Sequence, residues 1–406
     1  MLGVSKVQPL LTIIIVLIVA VLTQPCLAKA DSGFEKWIAD FYETASSKGI
    51  SRTTYDKAFS GIIAPDPRVL KKASYQPEFT TKIWDYVDAR VNPLSINKGM
   101  KKGAYYSGTL NSVTNRFGVR SSVLLAIWSM ESNYGDILKK TERLHYVPQA
   151  LATLAYGDKK RQKFGRNQLL AALKILQSGD ISREQFTGSW AGAMGHTQFI
   201  PTSYLAYGVD MDGNGRRDIW NSIPDALATA ASLLQKNGWR TGKTWGYEVI
   251  SPPGGSEYTG ETKTLAQWEK LGFIRPGEKK YPRLGDKAVL KILAGPEGPS
   301  FLMLKNFFVL KRYNNADAYA LAVGLLADRL AGGSGMVQSW PRPAGSLTIS
   351  EKFEIQERLK KHGYYSGEVD GYLGSQSRKA IRSFQRKAGL KEDGLPSLTL
   401  LEKLRK

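Results

Sequence analysis

The chain has 406 residues, 42% of them hydrophobic and nine of them Trp, which allows two or three domains with sizeable cores and excludes a disordered protein. Lys and Arg number 57 against 36 Asp and Glu, and the formal charge of +21 calls for an acidic partner: nucleic acid, anionic lipid or an acidic polymer such as cell wall. One Cys and three His in all argue against a disulfide framework, thiol chemistry and a zinc centre.

At the N-terminus Lys6 precedes an apolar run over residues 10–22, then Pro25 and Ala28-Lys29-Ala30. The run is too short to span a bilayer comfortably, and a positive start, a short apolar core and an Ala-x-Ala site describe a secretory signal over residues 1–30, with cleavage expected after Ala30. Cys26 follows Thr23-Gln24-Pro25, a poor context for lipidation, so the expected product is soluble, periplasmic, cysteine-free and without a stable membrane span. Export removes Lys6 and Lys29 and no acid, which lowers the charge by two. Nucleic acid then ceases to be the expected partner, and the wall remains.

From residue 31 to about 110 the pattern predicts helices broken by Ala64-Pro65-Asp66-Pro67 and Asn92-Pro93. Residues 121–135 predict a helix in which Val123, Leu124, Ile127, Met130 and Tyr134 form one apolar face. Ser121 is the expected cap, Gly135 the expected stop, and Ser129, Ser132 and Asn133 the wetter side. Glu131 projects into the apolar stripe with no Lys or Arg within a turn, two conditions that raise a carboxyl pKa and leave an acid able to donate a proton near neutral pH. The alternative is a Glu at the edge of that face, reaching water or satisfied by a buried donor.

Helices are expected over residues 150–156 and 168–176, separated by the basic loop Lys159-Lys160-Arg161-Gln162-Lys163. Residues 188–204 mix Gly and Ala with Ser189, Trp190, His196, Gln198 and Tyr204, as a sugar-binding cleft wall would; a tightly packed helix-loop is the other reading. Asp210, Asp212, Asn214 and Asp218 occupy positions one, three, five and nine of a calcium loop, with Gly215 at its turn. The twelfth position is Asn221 where Glu is expected, Asp225 lies one helical turn on, and Arg216 and Arg217 oppose a cation, so a loop held by Asx hydrogen bonds stands beside a filled site. A helix over residues 223–237 precedes a smaller, partly β insertion over residues 239–310, to which the run Phe307-Phe308-Val309-Leu310 is assigned. Helix returns over residues 318–330.

Residues 332–345 read as a linker, and three short helices over 351–361, 375–388 and 396–404 can close a small C-terminal core. Their basic helix (Arg378, Lys379, Arg382, Arg386, Lys387) suits an acidic wall or is a solvated face; a DNA-reading helix-turn-helix is disfavoured by the export signal. No His-Glu-x-x-His, Gly-x-Ser-x-Gly or phosphate loop is present, which leaves acid/base work on carboxylates.

At Ile127-Trp-Ser-Met-Glu-Ser-Asn-Tyr-Gly135, at residues 188–204, at Asp212-Gly-Asn-Gly-Arg-Arg-Asp-Ile-Trp220 and at Arg312-Tyr313-Asn314-Asn315, the chain resembles the B-type lytic murein transglycosylases. Residues 346–406 resemble the three-helix peptidoglycan-binding domain, through Ile355-Gln356, Val369-Asp370-Gly371, Phe384-Gln385 and Asp393-Gly394. The resemblance implies a mainly α protein: a lysozyme-like catalytic domain over 31–331 with its insertion, and a binding domain over 346–406. It implies Glu131 as the catalytic residue and Ser189, Gln198, Tyr313, Asn314 and Tyr319 as substrate contacts. No cofactor is expected to be required, and a structural calcium is implied only for the loop Asp210, Asp212, Asn214, Asp218 and Asp225. The partner is peptidoglycan. With no second acid in a comparable setting, one residue acting as acid and then base fits a lyase that forms a 1,6-anhydro sugar. A lysozyme-type hydrolase and a non-catalytic wall-binding scaffold are the competing readings.

Overall fold

In the computed structural model, residues 30–74 and 82–406 are described, so all but the last residue of the expected signal lies outside the description. No helix among the described residues is long and apolar enough to cross a membrane.

The helix Ser121–Ser132 is the axis of the largest core. Asp317–Leu330, Pro93–Tyr105, Ser107–Phe117 and Ile223–Lys236 all pack against it. Val123 through Trp128 are buried without a break, so the middle of the helix has no wet side; Ser129, Met130 and Glu131 are half-buried, and Asn133 just past the helix is exposed. Ser132, expected on the wet side, is fully buried. Ser121 does not cap the helix either. The N-cap is Arg120 without a side-chain bond, and the Ser121 hydroxyl meets that of Thr114 at 3.1 Å.

Two further helices, Val147–Gly157 and Gln162–Ser178, pack tightly on each other. Both are longer than their apolar periodicity suggested, and Gln162 and Lys163 of the expected basic loop belong to the second. Before and after this pair, β1 (His145–Tyr146) and β2 (Thr187–Gly188) form a short antiparallel ribbon.

The insertion is an antiparallel sheet of β3 (Gly246–Val249), β4 (Thr262–Thr264), β5 (Lys287–Ile292) and β6 (Ser300–Met303) in the order β3-β6-β5-β4. Strand β6 lies inside and all four of its residues are buried. Val249, Leu265, Trp268, Phe273, Leu290 and Leu302 give the insertion its own core. The run Phe307-Phe308-Val309-Leu310 is not part of the sheet. It lies in the helix Lys305–Tyr313, with three of its four residues buried at helical spacing.

The C-terminal helices Ile349–Lys361, Ser375–Lys387 and Leu398–Arg405 close on Ile355, Leu359, Ile381, Leu401 and Leu404. Two buried glutamines brace the intervening turns. The Gln356 amide accepts from the Asp370 and Gly371 N–H groups at 2.9 and 2.6 Å, and Gln385 accepts from Gly394 N–H at 2.8 Å. This accounts for the paired Gln and Asp-Gly signatures: each side chain satisfies backbone donors that a turn leaves open.

The linker is not free. The Glu248 carboxylate accepts from the backbone N–H of Val337 at 2.9 Å and of Gln338 at 2.6 Å. Met336 and Trp340 pack on the large core, and Arg342 pairs with Asp88 at 2.8 Å with both side chains nearly enclosed. Removing one partner of an enclosed pair strands the other charge, at a cost of about 3 kcal/mol. Arg342→Ala should therefore lower the unfolding midpoint of the full chain and open residues 332–345 to limited proteolysis. An unchanged midpoint and cleavage pattern would mean that the pair holds nothing.

Candidate active site

The helix Ser121–Ser132 ends in three consecutive left-handed residues, Asn133, Tyr134 and Gly135, at φ 50°, 57° and 91°. A Tyr in that region is costly, and its surroundings fix it there. Its hydroxyl donates to the Ser95 carbonyl at 3.0 Å, and its ring meets Trp128 edge-on at 5.6 Å. Gly135 is required for a second reason: a Cβ there would lie 2.5 Å from the His196 ring. His196 in turn accepts from the Trp128 indole N–H at 3.2 Å, and its carbonyl accepts from Ser132 at 2.7 Å. Burial, then the nearby Lys102 charge, push its pKa down to about 4. The ring is a neutral brace between helix and loop.

Residues 188–200 form no helix but a tight hairpin, part of it buried and part half-exposed. Met194 and Phe199 exchange backbone hydrogen bonds at 2.9 and 3.1 Å, and Gln198 sits at φ 49° with its amide donating to the Gly195 carbonyl at 2.8 Å. The tip of this hairpin carries Thr197, whose carbonyl accepts from the Tyr313 hydroxyl at 2.6 Å. Tyr313 stacks on Tyr319 at 6.2 Å, and the Tyr319 hydroxyl donates to Glu131 Oε1 at 2.6 Å. Three segments far apart in sequence thus converge on one carboxyl group.

Glu131 keeps a partly exposed edge, while its surroundings withhold water from the charged form. Burial pushes its pKa up to about 7, against the opposing pull of the Tyr319 hydroxyl and the Arg90 guanidinium. Arg90 is a charge that a search within one helical turn could not find. No carboxylate is among the groups that shift Glu131. Asp136, the next acid along the chain, is held by Lys98 and by Lys139 at 3.3 Å, which keep it below the usual carboxylate range.

Of the other expected contacts, Tyr313 and Tyr319 join Glu131 directly. Gln198 lies on the adjoining hairpin and Asn314 is exposed just beyond Tyr313. The Ser189 hydroxyl accepts from Ala191 and Ala193 N–H at 3.3 and 3.0 Å and shapes its own turn. Trp190 belongs to a separate cluster with Val69, Ala150 and Phe164, under Arg161. Tyr204 is buried and donates to the Arg217 carbonyl, so it holds no sugar. Sequence reasoning missed Tyr86 and Arg90, which reach the site from a short helix, Ile83–Asp88, and the turn after it. They carry no motif or period that marks them.

In the aspartate loop, Asp210, Asp212 and Asp225 each bring a carboxylate oxygen within 4.8 Å of the others. Asp218 is not in this cluster of carboxylates. The Asn214 oxygen accepts from Arg216 N–H at 3.0 Å, and Asp218 accepts from Trp220 and Asn221 N–H at 3.0 and 2.9 Å. The Asn221 amide also donates to Asp218, at 3.0 Å.

The transglycosylase SLT domain family matches residues 33–328. The chain belongs to this family. A peptidoglycan binding domain matches residues 352–404, so the whole is a B-type lytic transglycosylase with a C-terminal wall-binding domain. Two solved structures of SltB3 from Pseudomonas aeruginosa are similar to it. One, with NAG-anhNAM-pentapeptide, is 42% identical, covers 93% of this chain and all of its own, and has a TM-score of 0.73. The other, with NAG-NAM-pentapeptide, is 43% identical over 92% of this chain and all of its own, also at 0.73. Membrane-bound lytic murein transglycosylase B of Escherichia coli K12 is 27% identical over 242 residues, 59% of this chain. The match spans 65% of that protein's length, just under two thirds. The lysozyme-like fold class expected from the resemblance holds.

A carboxyl whose folded pKa is raised binds its proton longer in the folded than in the unfolded chain. Stability is therefore lost as pH rises from the unfolded value of 4.5 through about 7. Glu131→Gln removes this penalty. At pH 8 the variant should be more stable than the parent by about 2–3 kcal/mol, with the gap closing towards pH 4.5, as read by denaturant unfolding at several pH values. A gap independent of pH would place the titration elsewhere.

Proposed function

We propose that this lytic transglycosylase is an exported periplasmic enzyme that cuts the β-1,4 bond from MurNAc to GlcNAc, and that Glu131 alone serves as acid and then base. The observation that carries the reading is a single carboxyl group with its pKa near neutrality, partly exposed and with no carboxylate acting on it.

In its protonated form Glu131 gives its proton to the glycosidic oxygen as the bond to C1 of MurNAc breaks. The positive charge at C1 is met by the sugar's own N-acetyl group and by pocket dipoles. The Glu131 carboxylate, held by the Tyr319 hydroxyl, then takes the proton of the C6 hydroxyl as O6 bonds to C1. The products are a 1,6-anhydro-MurNAc end and a free GlcNAc end, with no water consumed. A proton must be given and taken back by one group, so a pKa near the working pH serves both halves. Two observations support the anhydro product over hydrolysis: the lone carboxyl, where most glycosidases flank the bond with two, and the NAG-anhNAM-pentapeptide held by the similar SltB3.

The wall is the acidic polymer that the positive charge and the C-terminal domain both fit. Calcium is proposed only as a structural ion. Asp225 is fully buried beside the Asp212 carboxylate, a donor set of hard oxygens that suits such a cation. If it binds, millimolar calcium should raise the unfolding midpoint of the parent and not of Asp212→Asn, with turnover unchanged; no shift in the parent would remove the ion.

Purified sacculi test the main reading. Soluble fragments should be one water lighter than hydrolytic products by mass spectrometry, and Glu131→Gln should bind sacculi while releasing none. Products of hydrolytic mass would make the enzyme a lysozyme-type hydrolase. Binding without any release by the parent would make it a scaffold.

A further inference from the structure

Arg90 stands at a rigid joint. The Asn92 side chain caps the helix Pro93–Tyr105 through Ser95 N–H at 3.0 Å and donates to the Asp88 carbonyl at 3.2 Å, which ties that helix to Ile83–Asp88. Between the two, the Arg90 guanidinium lies 3.7 Å from the centre of the Tyr86 ring, and one of its N–H groups meets the Tyr86 carbonyl at 3.4 Å. Stacking fixes the plane of the fork and leaves most of its donors open. Asp88, two residues back in the chain, is paired with Arg342 at 2.8 Å. Among the described residues no carboxylate lies within ion-pair distance of Arg90. The helix just before it, Ile83–Asp88, packs on Asp317–Leu330, whose Tyr319 bonds Glu131, and Arg90 is the basic group whose charge pulls on that carboxyl.

The sugar rings of peptidoglycan are neutral, and its negative charge sits on the muramic acid unit, as a carboxylate of the peptide stem or, where the stem is missing, of the lactyl group. A planar, immobilised guanidinium without an acid of its own is the group that recognises a carboxylate through two parallel hydrogen bonds. We propose that Arg90 receives a carboxylate carried by the muramic acid unit bound next to Glu131, so that this side chain sets the enzyme's preference among stem-bearing and stem-free strands. The inference rests on peptidoglycan as the substrate.

Calorimetric titration of the full chain tests it with three ligands: GlcNAc-MurNAc-pentapeptide, the same compound with its carboxyl groups amidated, and GlcNAc-MurNAc with a free lactyl carboxylate. Arg90→Met should lose at least tenfold in affinity for a carboxylate-bearing ligand and little for the amidated one, and Arg90→Lys should recover part of the loss. Which carboxylate-bearing ligand suffers identifies the source, stem or lactyl group. Equal losses on all three, or none on any, would overturn the proposal. A parent enzyme that releases no anhydro product yet shows the Arg90-dependent preference would defeat the proposed reaction and leave this site standing.

Discussion

The proposed reaction asks that one carboxyl group be dry enough to hold a proton at neutral pH and open enough to reach a sugar oxygen. Burial alone would meet the first demand and fail the second. The structure reconciles them by burying the helix from Val123 to Trp128 and leaving its last turn, where Glu131 emerges, half-buried. Tyr319 then supplies a single hydrogen bond to the charged form, enough to orient the carboxyl without cancelling the effect of burial. Had Glu131 been given an ion-pair partner of its own, its pKa would fall and the proton would be gone.

The surroundings serve to keep that balance. Tyr319 is buried and stacked on Tyr313, and Tyr313 is anchored to the hairpin tip at Thr197. The hairpin is fixed to the helix of Glu131 by His196, through Trp128 and Ser132. The left-handed turn over residues 133–135 lets the loop approach this closely, because Gly135 has no side chain to meet the imidazole. A ring of contacts therefore begins at the helix and returns to its one acidic group. Displacing any member would alter how much water reaches the carboxyl before it altered the fold.

How much of this could be read from the sequence depends on the range of the interaction. Glu131 is visible because its helix carries a strong local signal, yet that signal is incomplete: it predicts an apolar stripe where residues 123–128 are buried on every side. Periodicity reports one face, and it loses contrast when all faces are buried. Capping at Ser121 failed for a similar reason, since its hydroxyl found Thr114 on the neighbouring helix. The run Phe307-Phe308-Val309-Leu310 shows the known ambiguity of short apolar stretches, which suit a strand or a buried helix equally. Tyr86 and Arg90 had no local signature, because their role arises only when Ile83–Asp88 packs against Asp317–Leu330.

The linker carries the same lesson to a larger scale. Its Gly, Ser and Pro composition reads as a flexible tether, which would let the wall-binding domain raise local substrate concentration over a volume set by linker length. Glu248, Asp88 and the apolar seats of Met336 and Trp340 instead lay it along the catalytic domain. A tether held down as far as Arg342 samples a smaller volume, so its benefit depends more on whether a strand can meet both domains at once. The ion pair at Asp88 also lies two residues from Arg90. The segment that seats the linker is thus the segment that carries the guanidinium proposed to read the substrate, so the proposed reading of the strand and the joining of the two domains would share one short stretch of chain.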